Sequence, residues 1–185
     1  MSDFLNEKVD FAIEFATRAH GGQLRKTDKS LPYIYHPIAT GFILKEAGFS
    51  DDIVIAGILH DTLEDTNVLE DEIKKFFGEK ILSIILNSSE NKELNWEERK
   101  KVYIKQISMG SIEAKAVATA DKLQNIYSII KSINNGVDVW PFFNRTKDKT
   151  IDFYKSFYKE IKKEWNHPII DELGKKIKIL EKISF

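Results

Sequence analysis

An all-α domain of about eight to ten helices is what these 185 residues predict. Three observations carry that expectation. Apolar residues recur at helical spacing along most of the chain. No segment alternates apolar and polar residues for the length of a strand. Glycine and proline number only 9 and 4, and several of them punctuate the periodic stretches. No internal repeat and no linker-like stretch interrupts the pattern, so residues 1–185 are expected to form one domain with a single core.

The first helix is expected over 4–20. Phe4, Leu5, Phe11, Ala12, Phe15, Ala16 and Ala19 give it a broad apolar face, and Gly21-Gly22 stop it. A loop over 23–35 turns at Lys29-Ser30-Leu31-Pro32. Pro37 suits the first turn of the next helix, which carries Ile38, Phe42, Ile43 and Leu44 to a cap at Gly48. Ser50 is placed to N-cap the third helix, with Asp51 and Asp52 favourable in its first turn. Ile53, Val54, Ile55, Ile58 and Leu59 make it a core helix, and the helical pattern continues unbroken through Asp65. An amphipathic helix over 68–77 ends at Gly78, and a strongly apolar one over 79–86 leads into a polar loop over 87–95. The helix over 96–107 turns Glu97, Glu98, Arg99 and Lys100 mostly to water. A long helix over 111–133 sets Ala116, Ala120, Leu123, Tyr127 and Ile130 at core spacing, which brings Asp121 into the interior. Asn134-Asn135-Gly136 break the chain. Residues 142–165 and 168–183 are expected to form aromatic, lysine-rich helices that close over the core.

Composition excludes several chemistries. The net charge of −1 gives no global electrostatic case for nucleic-acid binding. With no cysteine there is no disulfide, no thiolate nucleophile and no zinc–thiolate site, so any metal is held by nitrogen and oxygen. Residues 1–7 lack the basic start and apolar run of a signal peptide, and no stretch approaches the ~18 apolar residues of a membrane span. A soluble, cytoplasmic protein without a membrane partner is the expectation.

The chemistry concentrates in Ile58-Leu59-His60-Asp61-Thr62-Leu63-Glu64-Asp65-Thr66. On a continuous helix His60 lies above Glu64, and Asp61 above Asp65. Four polar groups thus emerge at the end of a core helix, where burial without partners costs several kcal/mol each. A bound cation would satisfy them. An exposed helix end with a solvated His-Asp pair is the plainer alternative, although acids at a helix C-terminus oppose its dipole. Upstream stand His20-Gly21-Gly22-Gln23-Leu24-Arg25-Lys26 and Pro32-Tyr33-Ile34-Tyr35-His36-Pro37, and downstream stands Ala118-Thr119-Ala120-Asp121-Lys122-Leu123-Gln124-Asn125.

Taken together, Arg-Lys, Pro-Tyr-x-x-His-Pro, His-Asp-x-x-Glu-Asp-Thr and Ala-Asp-Lys-Leu-x-Asn resemble the HD-domain metal-dependent phosphohydrolases. Within these, the chain is most similar to the stand-alone small alarmone hydrolases of the RelA/SpoT family, the metazoan SpoT homologues among them. The resemblance runs over residues 11–125, with a looser echo to the C-terminus. It implies a single compact HD-domain helical bundle. His36, His60, Asp61 and Asp121 are the expected metal ligands, a mixed nitrogen–oxygen set suited to Mn²⁺, Fe²⁺, Co²⁺ or Zn²⁺. The resemblance favours one Mn²⁺. It also implies catalytic roles for Glu64 and Asp65 and substrate binding by Arg25, near the base, Lys26, near phosphate, Lys122 and Asn125. Asn125 shares the Asp121 face, whereas Lys122 is expected about 100° away from it and only to assist. Tyr33 and Tyr35 suit packing beside a base or in the core. His20 and His167 are expected to be structural. Trp140 and Arg145 lie near positions that in such relatives face the distal phosphates, although the spacing differs by one residue. The chain also departs from the pattern at Asn87-Ser88-Ser89-Glu90-Asn91-Lys92 and at Thr119.

The implied reaction is removal of the 3′-pyrophosphate from guanosine tetra- or pentaphosphate (ppGpp, pppGpp), releasing pyrophosphate and GDP or GTP. The chain is too short to hold a synthetase domain beside the hydrolase. Removal of the 2′-phosphate of NADPH, or 5′-nucleotidase activity, needs the same metal and phosphate pocket. A silent nucleotide-binding regulator is the non-enzymatic alternative, and a homo-oligomer stays open.

Overall fold

The computed structural model describes residues 6–143 and 145–183. Phe4 and Leu5, expected in the first helix, lie outside the described residues. Helix α1 (Glu7–Ala19) begins behind Asn6, whose side chain accepts from the Lys8 and Val9 N–H groups. There follow α2 (Tyr35–Glu46), α3 (Asp51–Leu59), the single turn α4 (Thr62–Asp65), α5 (Glu70–Phe77) and α6 (Glu79–Ser88). Then come α7 (Trp96–Met109), α8 (Ile112–Asn134), a 3₁₀ turn at Trp140–Phe142, α9 (Lys147–Glu164) and α10 (Pro168–Lys182). The described residues contain no strand, only an isolated bridge between Leu24 and Pro32. The all-α expectation holds.

Two helices make the centre. In α3 every residue from Ile53 to Leu59 is buried, because α1, α2, α6 and α8 all pack on it. In α8 residues 114–124 are buried without interruption, with α2, α3 and α6 against it and α7 and α10 completing the enclosure. A helix surrounded in this way has no solvated face over that stretch, so Asp121, Lys122 and Gln124 must find their partners inside. Helices α9 and α10 pack on each other and on α7 and α8, and they bury Phe157, Ile161, Leu173 and Leu180. The C-terminal helices therefore do close over the core.

The α2–α3 crossing depends on two glycines. A Cβ on Gly57 would stand 2.3 Å from Leu44 Cδ1, and one on Gly41 would stand 2.5 Å from Ile58 Cγ1. Hydrogen at these positions lets the two backbones approach, and the approach brings the start of α2 to the end of α3.

Four local expectations need correction. The helix expected to run unbroken through Asp65 is interrupted at His60-Asp61, which separate α3 from α4. Both residues keep right-handed helical angles, and Asp65 N–H still bonds the Asp61 carbonyl at 2.9 Å, so Asp61 and Asp65 do share a face. Ser50 is extended at the N-cap position but makes no side-chain cap; Asp51 and Asp52 instead pair with Lys45 and Lys80, each at 2.8 Å. Tyr127 is 48% exposed and is not core; it lines a groove with Tyr35 of α2 and Glu172 of α10. Arg99 and Lys100 turn inward, toward Glu90, and are half-buried rather than mostly solvated.

Candidate active site

His36 is the second residue of α2, where the Pro-Tyr-x-x-His-Pro turn enters the helix. His60 caps the end of α3, Asp61 follows it, and Asp121 lies mid-way along α8. Residues spread over more than eighty positions thus converge. His36, His60 and Asp121 are buried, and each offers a ligand atom within 4.8 Å of the other two. His36 Nε2 stands 3.3 Å from Asp121 Oδ1, and His60 Nε2 stands 3.9 Å from the same oxygen. Asp61 Oδ2 approaches both imidazoles, at 3.5 Å from His36 Nε2 and 3.2 Å from His60 Nε2. It also accepts from the Tyr33 hydroxyl at 2.6 Å.

The donor set fits a divalent cation on its chemistry. His60 Nδ1 meets the Gly57 carbonyl at 2.8 Å, which leaves Nε2 pointed inward, buried and without a hydrogen-bond partner. A buried ring nitrogen without a hydrogen-bond partner, facing carboxylate oxygens, fits the donor geometry of a metal ligand. Without the ion, protons take its place. Burial disfavours a charged His60, but Asp61 and Asp121 beside it outweigh burial and raise its pKa to about 9. Burial likewise works against ionised Asp61 and Asp121. For Asp61 the neighbouring His60 and His36 prevail, and for Asp121 Lys122 and the two histidines do, so both carboxyls sit below the usual range.

Glu64 and Asp65 lie one turn on. Glu64 Oε1 accepts from the Glu90 backbone N–H at 3.0 Å, and Lys92 Nζ lies 3.6 Å from Glu64 Oε2. Lys92 also donates to Asp65 Oδ1 at 2.6 Å and to the Glu64 carbonyl at 2.7 Å. Burial, reinforced by the charge of Asp61, raises the Glu64 pKa above its ordinary value.

A cavity of about 360 Å³ opens beside this group. Its walls carry Arg25, Lys26, Arg99, Lys100 and Arg145 together with Tyr33, Trp96, Phe142, Phe143, Phe153 and Tyr154. Asn125 joins the cavity to the ligand group: its Nδ2 donates to Asp121 Oδ1 at 2.5 Å, and its Oδ1 accepts from Arg25 at 3.3 Å. A concave surface lined by cations and aromatic rings is suited to a compound that carries phosphates and a flat base.

A sequence profile of the HD domain matches residues 12–138. The chain belongs to the HD-domain family. Over 127 residues it is 39% identical to the human protein named guanosine-3′,5′-bis(diphosphate) 3′-pyrophosphohydrolase MESH1, an alignment covering 68% of this chain and 71% of the human one. A protein of Aquifex aeolicus named guanosine-3′,5′-bis(diphosphate) 3′-pyrophosphohydrolase is 32% identical over 126 residues, which cover 66% of this chain but 18% of that longer one. Among solved structures, lmo0812 of Listeria monocytogenes superposes with a TM-score of 0.73 at 35% identity, covering 80% of this chain and 99% of its own. The structure of a metazoan SpoT orthologue reaches a TM-score of 0.83 at 24% identity, covering 96% and 98%, and shares the fold.

Most residues singled out from the sequence meet here. His36, His60, Asp61 and Asp121 cluster, Glu64 and Asp65 flank them, and Arg25, Lys26 and Asn125 line the cavity. Lys122 departs from expectation. It is buried, and its Nζ lies 2.6 Å from Asp121 Oδ2 and 4.7 Å from the Tyr103 ring, because a long side chain can curl back to the carboxylate beside it. Arg145 lines the cavity, whereas Trp140 packs on Phe143 outside it. Tyr33 contacts Asp61, but Tyr35 faces a different groove, between α2, α8 and α10. His20 is buried against Gln23, at 2.8 Å, and Tyr33; His167 caps α10 between Phe49 and Trp165.

The residues that sequence reasoning missed are Arg99, Lys100, Glu90, Lys92 and Gln124. Glu90 gathers Arg99 Nε at 3.1 Å, the Lys100 ammonium, and Lys122 Nζ at 3.9 Å. The available signal was Trp96 three and four positions before Arg99 and Lys100, an aromatic–basic face at helical spacing.

Proposed function

We propose that this chain hydrolyses the 3′-pyrophosphate of guanosine tetra- or pentaphosphate, with one divalent cation, Mn²⁺ by preference, held by His36, His60, Asp61 and Asp121. The observation that carries the reading is the bridge made by Asn125, which ties the ligand group to a cavity rich in cations and aromatic rings. The names of the human and Aquifex relatives support the substrate. A bound cation supplies Lewis acidity: it draws charge from a phosphoryl oxygen and makes hydroxide available near neutral pH.

The side chains divide the remaining work. Lys26, Arg99 and Lys100 neutralise phosphate charge, and Arg25, over the Tyr33 ring at 5.6 Å, takes the base with the aromatic wall. Lys122 holds Asp121 ionised and oriented. Glu64, with its raised pKa, takes a proton from the attacking water; Asp65, tied to Lys92 and Tyr33, is the second proton-handling group. Water adds to the phosphorus on the 3′ oxygen, the phosphorus–O3′ bond breaks, and the proton given up by the water ends on that oxygen, so that pyrophosphate is released and GDP or GTP leaves with a 3′ hydroxyl.

Residues 1–185 act as one HD-type domain in this reading. In support, α9 lies beyond the profile match and still supplies Thr150, Phe153 and Tyr154 to the cavity wall. Among the described residues no helix is long and apolar enough to cross a membrane. The protein is proposed to act in the cytoplasm, without a nucleic-acid partner.

Incubation with Mn²⁺ and ppGpp, pppGpp, ppApp or NADPH in turn, with products resolved, tests the substrate. Pyrophosphate from the two guanosine compounds is expected. Orthophosphate from NADPH alone would move the reading to the 2′-phosphatase.

A further inference from the structure

An imidazole offers one ring nitrogen to a cation only when its proton sits on the other. His60 meets this condition through a backbone group, the Gly57 carbonyl facing its Nδ1 at 2.8 Å. His36 has no such carbonyl. Its Nδ1 faces the side-chain oxygen of Gln124, 88 positions away in the sequence. Gln124 is 1% exposed, and its other end is engaged too, with Nε2 donating to Ser128 Oγ at 3.0 Å. An amide oxygen accepts and cannot donate. Facing it, Nδ1 must carry the hydrogen, which leaves Nε2, 3.3 and 3.5 Å from Asp121 and Asp61, to offer its lone pair to a cation shared with those carboxylates.

We infer that Gln124 is a positioning residue for the metal centre: its amide fixes the protonation and the aim of the His36 ring. The inference rests on the reading of His36 as a metal ligand. Gln124 touches neither substrate nor cation. It lies on the helix that carries Asp121, three residues on, so one rigid element sets both a ligand and the orientation of a second ligand on α2. Ser128, one turn further along α8, accepts from the amide nitrogen, and the amide oxygen is the end that meets the ring.

The test uses the full chain, Mn²⁺ as the probe, and two variants. Gln124→Met keeps the length of the side chain and removes the acceptor; Gln124→Glu keeps an acceptor. Titration calorimetry is expected to find Mn²⁺ binding about 10–100-fold weaker in Gln124→Met. In Gln124→Glu it should stay near wild type. At saturating Mn²⁺ the Gln124→Met turnover should recover. Equal affinity of Gln124→Met and wild type overturns the inference, and so does an equal loss in both variants, which would assign Gln124 to packing alone. Ring ¹⁵N shifts of His36 in metal-free wild type, at a pH where the ring is neutral, decide the matter without any variant. Hydrogen on Nδ1 supports it, and hydrogen on Nε2 overturns it. A wild type that binds no Mn²⁺ while His36 keeps its hydrogen on Nδ1 sinks the functional reading and the metal-centre role with it, and leaves only the contact by which Gln124 orients the ring.

Discussion

A carboxylate that takes a proton from water works best with its own pKa drawn toward the working pH, and Glu64 is placed for that by burial and by the charge of Asp61. Glu64→Gln keeps the shape and cannot act as a base, so kcat for pyrophosphate release should fall roughly 10²–10⁴-fold while metal content holds. Arg25→Ala should do the reverse, raising KM with a smaller change in kcat, since it removes binding shared by ground and transition states. Steady-state kinetics beside elemental analysis separates the two. His60 carries a pH prediction. Its pKa rises from 6.5 in the unfolded chain to about 9 in the folded metal-free protein. The stability this contributes is complete below pH 6.5 and is lost as pH rises through about 9. The ion must displace the same proton, so Mn²⁺ affinity should climb over that interval. Chelator-treated protein should therefore melt at progressively lower temperature as the pH is raised, and the Mn²⁺-loaded protein should not follow. A melting temperature of the metal-free protein that climbed with pH would contradict this. At this scale the sequence was most legible where motifs carry chemistry: His36, His60, Asp61 and Asp121 stood in recognisable strings. Gln124 and Glu90 were not legible, because a glutamine on a helix and a glutamate in a polar loop carry no local mark of partners such as His36, 88 positions away.

Elements were readable where apolar spacing or a glycine marked them. Gly78, at φ 93°, ends α5 where the sequence said it would, and Gly48, at φ 84°, closes α2. The interruption at His60-Asp61 had no such mark. No glycine or proline stands there, and both residues keep helical angles. The inward turn of Arg99 and Lys100 was hidden for a similar reason: a basic pair on a polar helix reads as solvated until Glu90 is brought beside it. The α2–α3 crossing yields a prediction at this scale. In Gly57→Ala the new Cβ meets Leu44 Cδ1 at 2.3 Å, and Leu44 is itself fully buried, so it must repack within the core. Overpacking there should cost about 1–3 kcal/mol by denaturant unfolding. It should also weaken metal binding, because the same crossing holds His36 near His60. Unchanged stability would mean that the crossing has slack.

The whole molecule is an arrangement for enclosing a polar centre. Helix α8 runs through the interior with Asp121, Lys122 and Gln124 in its buried stretch, and the surrounding helices supply the rest: His36 from α2, His60 from α3, the acids from α4, the cations of the cavity from the α1–α2 loop and α7. The helix count and the closing role of the last two helices followed from periodicity. That α9 would also wall the cavity did not, since Phe153 and Tyr154 have the spacing of any core face. The central claim is that the buried cluster of histidines and acids exists to hold a cation that makes this cavity hydrolytic. Pyrophosphate release from ppGpp, measured on chelator-stripped protein before and after Mn²⁺ is restored, tests it most directly. No turnover is expected in the stripped protein, recovery is expected with Mn²⁺, and none at any Mn²⁺ concentration in His60→Ala; turnover that survived both stripping and His60→Ala would rule out a metal-dependent site.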